Sequence, residues 1–369
     1  MRGGPPESAP LPTGSPPTGL THLWQKPTFA DLLACLQQLR VEPPVWNLKA
    51  SRAEILQKQE EQQHAVDARE IVSFLSVIIK SSLAWLDDDD EREQIWDEAS
   101  KRLAERCGRT AMGEITRRWP FESPDESGPG SFTLTIREPA LTGDSLGLKT
   151  WGSSYVLARL LPSFSSPSGS PGGPGPLAHL LSVEDASRPP ILILELGSGT
   201  GLLGLAAAAT WRCPVVLTDL PTIVPNLSHN AAQNRAIIEA RGGSVETVPL
   251  TWGDTSHSDP RFVNERYKLI VVADPLYDDD HPALLASAID AQLDLGTEAR
   301  VLVMVPERDD VTRGLLRMFR LELGRTETPL CCVQEGTVAG EDDWGNGDDD
   351  DDARQVGFWW GIFKRDDSR

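Results

Sequence analysis

No stretch of this chain approaches the ~20 consecutive apolar residues of a membrane-spanning helix, so no membrane partner is expected. The five cysteines, Cys35, Cys107, Cys213, Cys331 and Cys332, contain no C-x-x-C pair and have no histidine pair nearby. That spacing gives neither a zinc site nor a disulfide framework, and it suits a reducing compartment. No metal is expected. Positive charge is also short: 35 Lys and Arg stand against 55 Asp and Glu, for a formal net charge of -20. Such an excess argues against nucleic acid or an anionic membrane as partner and favours a basic one. The first residues are rich in Pro, Gly and Ser rather than apolar, so they do not read as a secretory signal. A cytoplasmic protein is expected.

What is present is ordinary globular composition, 39% hydrophobic and 24% charged, over 369 residues. That length holds one large domain with an addition, or two domains. Residues 1–24 carry Pro5, Pro6, Pro10, Pro12, Pro16 and Pro17 among small residues and are expected to be a disordered tail. A helical module is expected over 25–125. Its first helix, 28–40, spaces Phe29, Leu32, Leu33, Leu36 and Leu39 along one face. Ser51-x-x-Glu54 is a capping box opening a helical pattern that runs towards Leu86, and 91–106 is a third helix with Gly108 as its C-cap. The module holds no chemical motif, which leaves it packing or substrate recognition. The acidic run at 87–90 reads as a solvated loop.

The remainder, 126–369, reads differently. Residues 131–137 alternate as a half-buried strand, and 149–161 form a helix entered through Trp151. A Pro/Gly/Ser stretch at 162–176 reads as a flexible linker. From 191 on, strand patterns at 191–196, 214–219, 244–251, 267–273 and 300–305 alternate with helix patterns at 202–210, 225–241, 281–294 and 311–323. Alternation of this kind implies an α/β doubly wound, Rossmann-like parallel sheet. Two last strands, 329–334 and 355–364, have no helix between them, which predicts one antiparallel strand at the sheet edge. An acidic loop at 340–353 joins them.

In such a sheet a ligand sits beyond the carboxyl ends of the strands, where the strand order reverses. The most informative strand end is Ile191-Leu-Ile-Leu-Glu195-Leu-Gly197-Ser-Gly199-Thr-Gly201, an apolar strand running through a glycine turn into a helix. A dinucleotide fingerprint needs a sixth-position glycine, and Leu202 stands there instead. Asp219 closes the second strand, 22 positions after Gly197, where an acidic side chain can accept both hydroxyls of a ribose or cap a helix. Trp252 and Asp254 close the third strand, the indole as a wall for an adenine or as plain core. Asp274-Pro-Leu-Tyr277 follows the fourth, and a carboxylate directly after an apolar strand is either solvated or functional.

Together these segments resemble the class I, seven-strand S-adenosylmethionine (SAM) methyltransferases. The Asp274-x-x-Tyr277 element, the Thr218-Asp219-Leu220 strand end and the Leu250-x-Trp252-Gly-Asp254 stretch are similar to the protein-lysine methyltransferases of methyltransferase family 16. The resemblance covers about 145–365 and implies SAM as cofactor. Carried over by position, the SAM contacts fall on Trp151, Gly197, Ser198, Gly199, Asp219, Trp252 and Ala273. It also implies that Asp274 positions the incoming amine and Tyr277 packs on its side chain. A helical N-terminal extension on such a core most resembles the fungal branch that methylates a lysine of translation elongation factor 2. The expected partner is thus a protein with a basic surface around its target lysine, and the expected state a monomer. An RNA or small-molecule methyltransferase, and a non-catalytic scaffold of the same fold, stay open as alternatives; Leu276 in place of a second proline separates Asp274-Pro-Leu-Tyr277 from the signature of nucleic-acid amino methylation.

Overall fold

The computed structural model describes residues 23–40, 68–106, 113–122, 130–140, 146–167, 173–181, 190–253, 260–263, 265–341 and 355–366. Ser51, Glu54, Gly108, Asp254, the 1–22 stretch and the acidic stretch 342–354 lie outside these residues. The described chain falls into two compact units.

The first unit holds helices α1 (Phe29–Gln38), α2 (Ala68–Lys80) and α3 (Asp89–Ala104). The Thr28 hydroxyl accepts from the Asp31 amide, which starts α1. Leu32, Leu36, Leu75, Ile78 and Ile95 are fully buried against one another. The acidic run at 87–90 is exposed and opens α3: Asp88 caps it, and Asp89, Asp90 and Glu91 occupy its first turn, where negative charge suits the helix dipole.

The second unit begins with a correction. Residues Ile115–Phe121 are a strand, β1, paired antiparallel with β2 (Phe132–Glu138). The expected helical module therefore does not extend to 125. Pro120 and the inward-facing Arg117 hide the alternation of Ile115, Trp119 and Phe121; Arg117 is tolerated inside because it pairs with the buried Glu138 at 3.2 Å.

Seven further strands form one sheet in the order β5-β4-β3-β6-β7-β9-β8. They are β3 (Ile193–Leu196), β4 (Pro214–Asp219), β5 (Ser244–Pro249), β6 (Leu269–Ala273), β7 (Arg300–Pro306), β8 (Leu330–Glu341) and β9 (Gln355–Arg365). β5 to β7 run parallel across the centre, and β9 is antiparallel to both β7 and β8. Side chains alternate between two cores, one on each face. In β6, Leu269 and Val271 enter the first and Ile270 and Val272 the second. The first face carries α4 (Gly152–Phe164), α5 (Ala178–Leu181), α6 (Leu202–Trp211) and α7 (Val224–Ala240); the second carries α8 (His281–Gln292) and α9 (Asp310–Leu323).

The antiparallel strand is not at the edge. β9 is inside, and β8 forms the edge. The reason is apolarity on both faces: Phe358 and Ile362 fill one core, Trp359 and Phe363 the other. β8 instead exposes Val333, Gln334 and Glu335 and carries a register shift between Cys332 and Gln334, as suits an edge. The ladder also continues from the expected end at 334 to Glu341, so 340 and 341, expected in the acidic loop, are strand. A second correction concerns 162–176: Pro162 lies inside α4, and Phe164 is buried. Gly175 donates to the Ser166 carbonyl and Leu177 to the Phe164 carbonyl, so the described ends of this stretch are docked.

β2 is secured to α7 by two asparagines. Asn230 accepts from the Arg137 amide and donates to its carbonyl; Asn234 does the same at Thr135. Four helix residues rise about 6 Å and two strand residues about 6.6 Å, so the two side chains reproduce a strand's hydrogen bonds. This placement gives a first prediction. A chain starting at residue 108 should fold and bind SAM, whereas one starting at 122 should unfold, because it loses Trp119, only 1% exposed, and Phe121 from the core. Circular dichroism and SAM calorimetry on the two truncations check it; a stable, SAM-binding chain from 122 would contradict it.

Candidate active site

The candidate residues collect on one rim of the sheet, at the carboxyl ends of β4, β3 and β6. The glycine turn after β3 is built by backbone bonds that cross to β4. The Ser198 amide donates to the Thr218 carbonyl at 2.8 Å, and the Thr218 amide donates back to the Ser198 hydroxyl at 3.0 Å. Gly197 and Gly199 have φ of 68° and 56°, in the left-handed region that glycine enters freely. Close approach is the second reason for glycine: a Cβ on Gly197 would stand 3.2 Å from the Trp252 ring. Trp252 therefore lies over the turn.

Asp219 ends β4 beside that turn. One carboxylate oxygen accepts from the Gly199 amide and the other from the Leu220 amide, both at 2.7 Å. Burial pushes its carboxyl above the ordinary aspartate range, and the two amides oppose that shift. Each oxygen keeps a lone pair for a further donor.

Trp151 is the N-cap residue of α4, and its segment is tied to the glycine turn by a buried contact between the Thr150 and Thr200 hydroxyls at 2.8 Å. Lys149 Nζ stands 4.5 Å from the Trp151 ring centre and the Arg308 guanidinium 5.1 Å from it.

Ala273 closes β6, and Asp274 continues the ladder by donating its amide to the Met304 carbonyl at 2.9 Å. Its φ of 55° is uncommon for a residue other than glycine; aspartate tolerates it better than most, and such outliers cluster at functional sites. The carboxylate is buried and meets Arg308, which follows β7. Tyr277 is exposed, and its ring stands edge-on to His281 at 4.2 Å. The His281 Nδ1 lies 3.0 Å from the Pro275 carbonyl, and its ring is 6.0 Å from Trp252. Burial, then Asp219, Asp274 and Asp278, keep the Tyr277 phenol titrating above its usual value.

The site thus brings the predicted residues to one rim. Arg308 and His281 were not among them. Arg308 belongs to no spacing rule, and the adjacency of β6 and β7 reveals it; His281 is the first residue of α8 while Tyr277 lies in the bend before it, so no helical spacing linked the two in the sequence.

Beneath the turn, Glu195 is 2% exposed, and burial pushes its carboxyl up to about 8, with the Ser198 hydroxyl and Gly204 amide opposing and Asp219 adding to the rise. Gly204 is required by this packing, since a Cβ there would meet Glu195 Oε2 at 2.4 Å and Leu217 at 2.1 Å. A carboxyl whose folded value exceeds its unfolded value stabilises the fold fully below the unfolded value. That contribution is lost as pH rises from about 4.5 to about 8. Glu195→Gln, neutral at every pH, should therefore lose less stability than wild type across that window in thermal melting. Parallel pH profiles would show that Glu195 is not held protonated.

A doubly wound sheet of this order, with a glycine turn, an acidic second strand end and a ligand rim at the reversal of strand order between β3 and β6, defines the fold of the class I methyltransferases. The chain belongs to the lysine methyltransferase family, whose family model matches residues 130–320. It is 30% identical over 261 residues to "Protein-lysine N-methyltransferase EFM2" of Saccharomyces cerevisiae, covering 69% of this chain and 57% of that one. It is 28% identical to "Protein-lysine N-methyltransferase rrg1" of Schizosaccharomyces pombe, covering 70% and 72%. The chain thus spans little more than half the length of the first of these relatives. Among solved structures, a methyltransferase from Pyrococcus furiosus shares 16% identity over 51% of this chain and 82% of its own, with a TM-score of 0.31.

Proposed function

We propose that the protein is a SAM-dependent protein-lysine N-methyltransferase acting in the cytoplasm, as a monomer, on translation elongation factor 2. The observation that carries the reading is Asp274: a buried carboxylate just past the β6 end, already facing a cation, with an aromatic ring three residues on. Family membership and the names of the two yeast proteins support a protein lysine as acceptor. The net charge of -20 supports a basic target surface, and the N-terminal helices supply a second unit able to select it.

The rim fits SAM. Gly197 and Gly199 leave room that a Cβ would fill, Trp252 offers a flat wall, and Asp219 offers oxygens short of donors in a desolvated place. Gly197, Ser198, Gly199 and Trp252 would hold the adenosyl part, Asp219 the ribose hydroxyls, and Ala273 and Trp151 the side towards the amine. When bound, SAM supplies an electrophilic methyl group on a sulfonium. The chain's own contribution is placement: Asp274 accepts the N–H groups of the incoming amine, and Tyr277 and Trp151 give its stem apolar faces and exclude water.

Purified elongation factor 2, incubated with the protein and methyl-labelled SAM, should take up label in a band that disappears on Asp274→Asn. Label on a different protein would move the target, and label on RNA would favour the nucleic-acid alternative.

A further inference from the structure

Arg308 stands where no motif placed it. The chain leaves β7 at Pro306 and crosses the rim through Glu307 and Arg308 before Asp309 caps α9. Arg308 Nη1 and Nη2 donate to Asp274 Oδ1 and Oδ2 at 3.1 and 2.5 Å. The arginine side chain is 26% exposed and the Asp274 side chain 5%. The same guanidinium lies 5.1 Å from the Trp151 ring centre. A fork-shaped cation therefore links the buried carboxylate to the indole of the α4 entrance.

Consider Asp274 without this partner. A carboxylate beside an ammonium favours the charged form. An ammonium has no lone pair, so a lone Asp274 would bind lysine while opposing its reaction. Paired with a guanidinium, the carboxylate carries little net charge, and its oxygens are still acceptors towards an amine N–H. We propose that Arg308 is a positioning residue that cancels the charge of Asp274, so that the target lysine sits in the slot as the neutral amine. This inference rests on Asp274 as the amine-binding carboxylate and adds how the site prepares its nucleophile. The lysine proton leaves to solvent first. The nitrogen lone pair then forms the N–C bond as the C–S bond breaks and its electron pair returns to sulfur.

Other charged or titratable groups surround the slot. Asp219 ends β4, Asp278 lies between β6 and α8, and His281 opens α8; Glu307 and Asp309 flank Arg308 after β7, and Lys149 stands beside Trp151. The Tyr277 phenol titrates above its usual value and stays neutral below it. Arg308 is in direct ion-pair contact with Asp274.

The test measures kcat and KM from about pH 6 to about pH 10, a range that brackets most of a lysine titration. The acceptor is elongation factor 2, or whichever protein the wild type labels; the enzymes are wild type, Arg308→Gln and Arg308→Lys. In Arg308→Gln the limb on which kcat rises should move up by about one pH unit. Near pH 7 its kcat should fall about tenfold and its KM should also fall, because the uncompensated carboxylate grips the ammonium. At the alkaline end kcat should approach wild type. Arg308→Lys should keep the limb in place. Without turnover, n-butylammonium chloride, followed by tryptophan fluorescence with S-adenosylhomocysteine present, should bind more tightly to Arg308→Gln than to wild type. A deficit equal at every pH, a raised KM, or weaker n-butylammonium binding would overturn the inference. If Arg308→Gln does not fold, Arg308→Lys decides alone, and a displaced limb in that variant overturns it. A wild type that labels no protein at any pH defeats the lysine reading and the Arg308 inference with it.

Discussion

Asp274→Asn should bind SAM within about twofold of wild type and lose at least about a hundredfold in methyl transfer. Asparagine is the informative substitution because it tolerates the left-handed backbone that Asp274 adopts, whereas alanine would add strain at φ 55°. It also keeps the shape of the side chain while removing the charge and one acceptor. The loss should appear in kcat, since the group is assigned to the amine and not to the cofactor. Tyr277→Phe should be mild and Tyr277→Ala severe, because the ring and not the hydroxyl is what packs on a lysine stem. Calorimetry with SAM and label transfer to protein, run on the same preparations, separate the two functions. Near-normal turnover by Asp274→Asn would remove Asp274 from the chemistry.

Asp219→Ala should do the reverse. Charge-assisted hydrogen bonds are worth roughly 1.5–3 kcal/mol, so SAM affinity should fall about tenfold or more. The variant also frees the Gly199 and Leu220 amides that Asp219 now accepts, so a lower melting temperature should accompany the weaker binding. Because burial raises the Asp219 carboxyl, wild-type SAM affinity should begin to weaken at a pH above the ordinary aspartate value as pH falls. The Asp219→Ala variant should lack that acid limb. Unchanged affinity in a folded Asp219→Ala would sink the ribose assignment.

The parts of the site read from sequence are those carried by strand ends. Glu195 to Gly201, Asp219 and Asp274 each follow an apolar run whose length fixes where the strand stops, and the fold puts all such ends on one rim. Arg308 escapes that logic: it follows a strand too, but an arginine in a short polar turn is ordinary until β6 and β7 are known to be neighbours. β1 was missed because Pro120 and Arg117 break its pattern, and only the pairing of Arg117 with Glu138 makes the inward arginine sensible. The place of β9 was missed for a related reason. Two adjacent strands without a helix are antiparallel in any arrangement, and the choice of which lies inside depends on the two-faced apolarity of Phe358, Trp359, Ile362 and Phe363.

The most direct measurement follows methyl-labelled SAM into an untreated lysate with the purified protein, then hydrolyses the labelled material to its constituents. The account predicts one dominant labelled protein band whose label is recovered as N-methylated lysine, and whose label vanishes with Asp274→Asn. Label recovered in nucleosides, in small molecules, or nowhere in the presence of protein that binds SAM would contradict it.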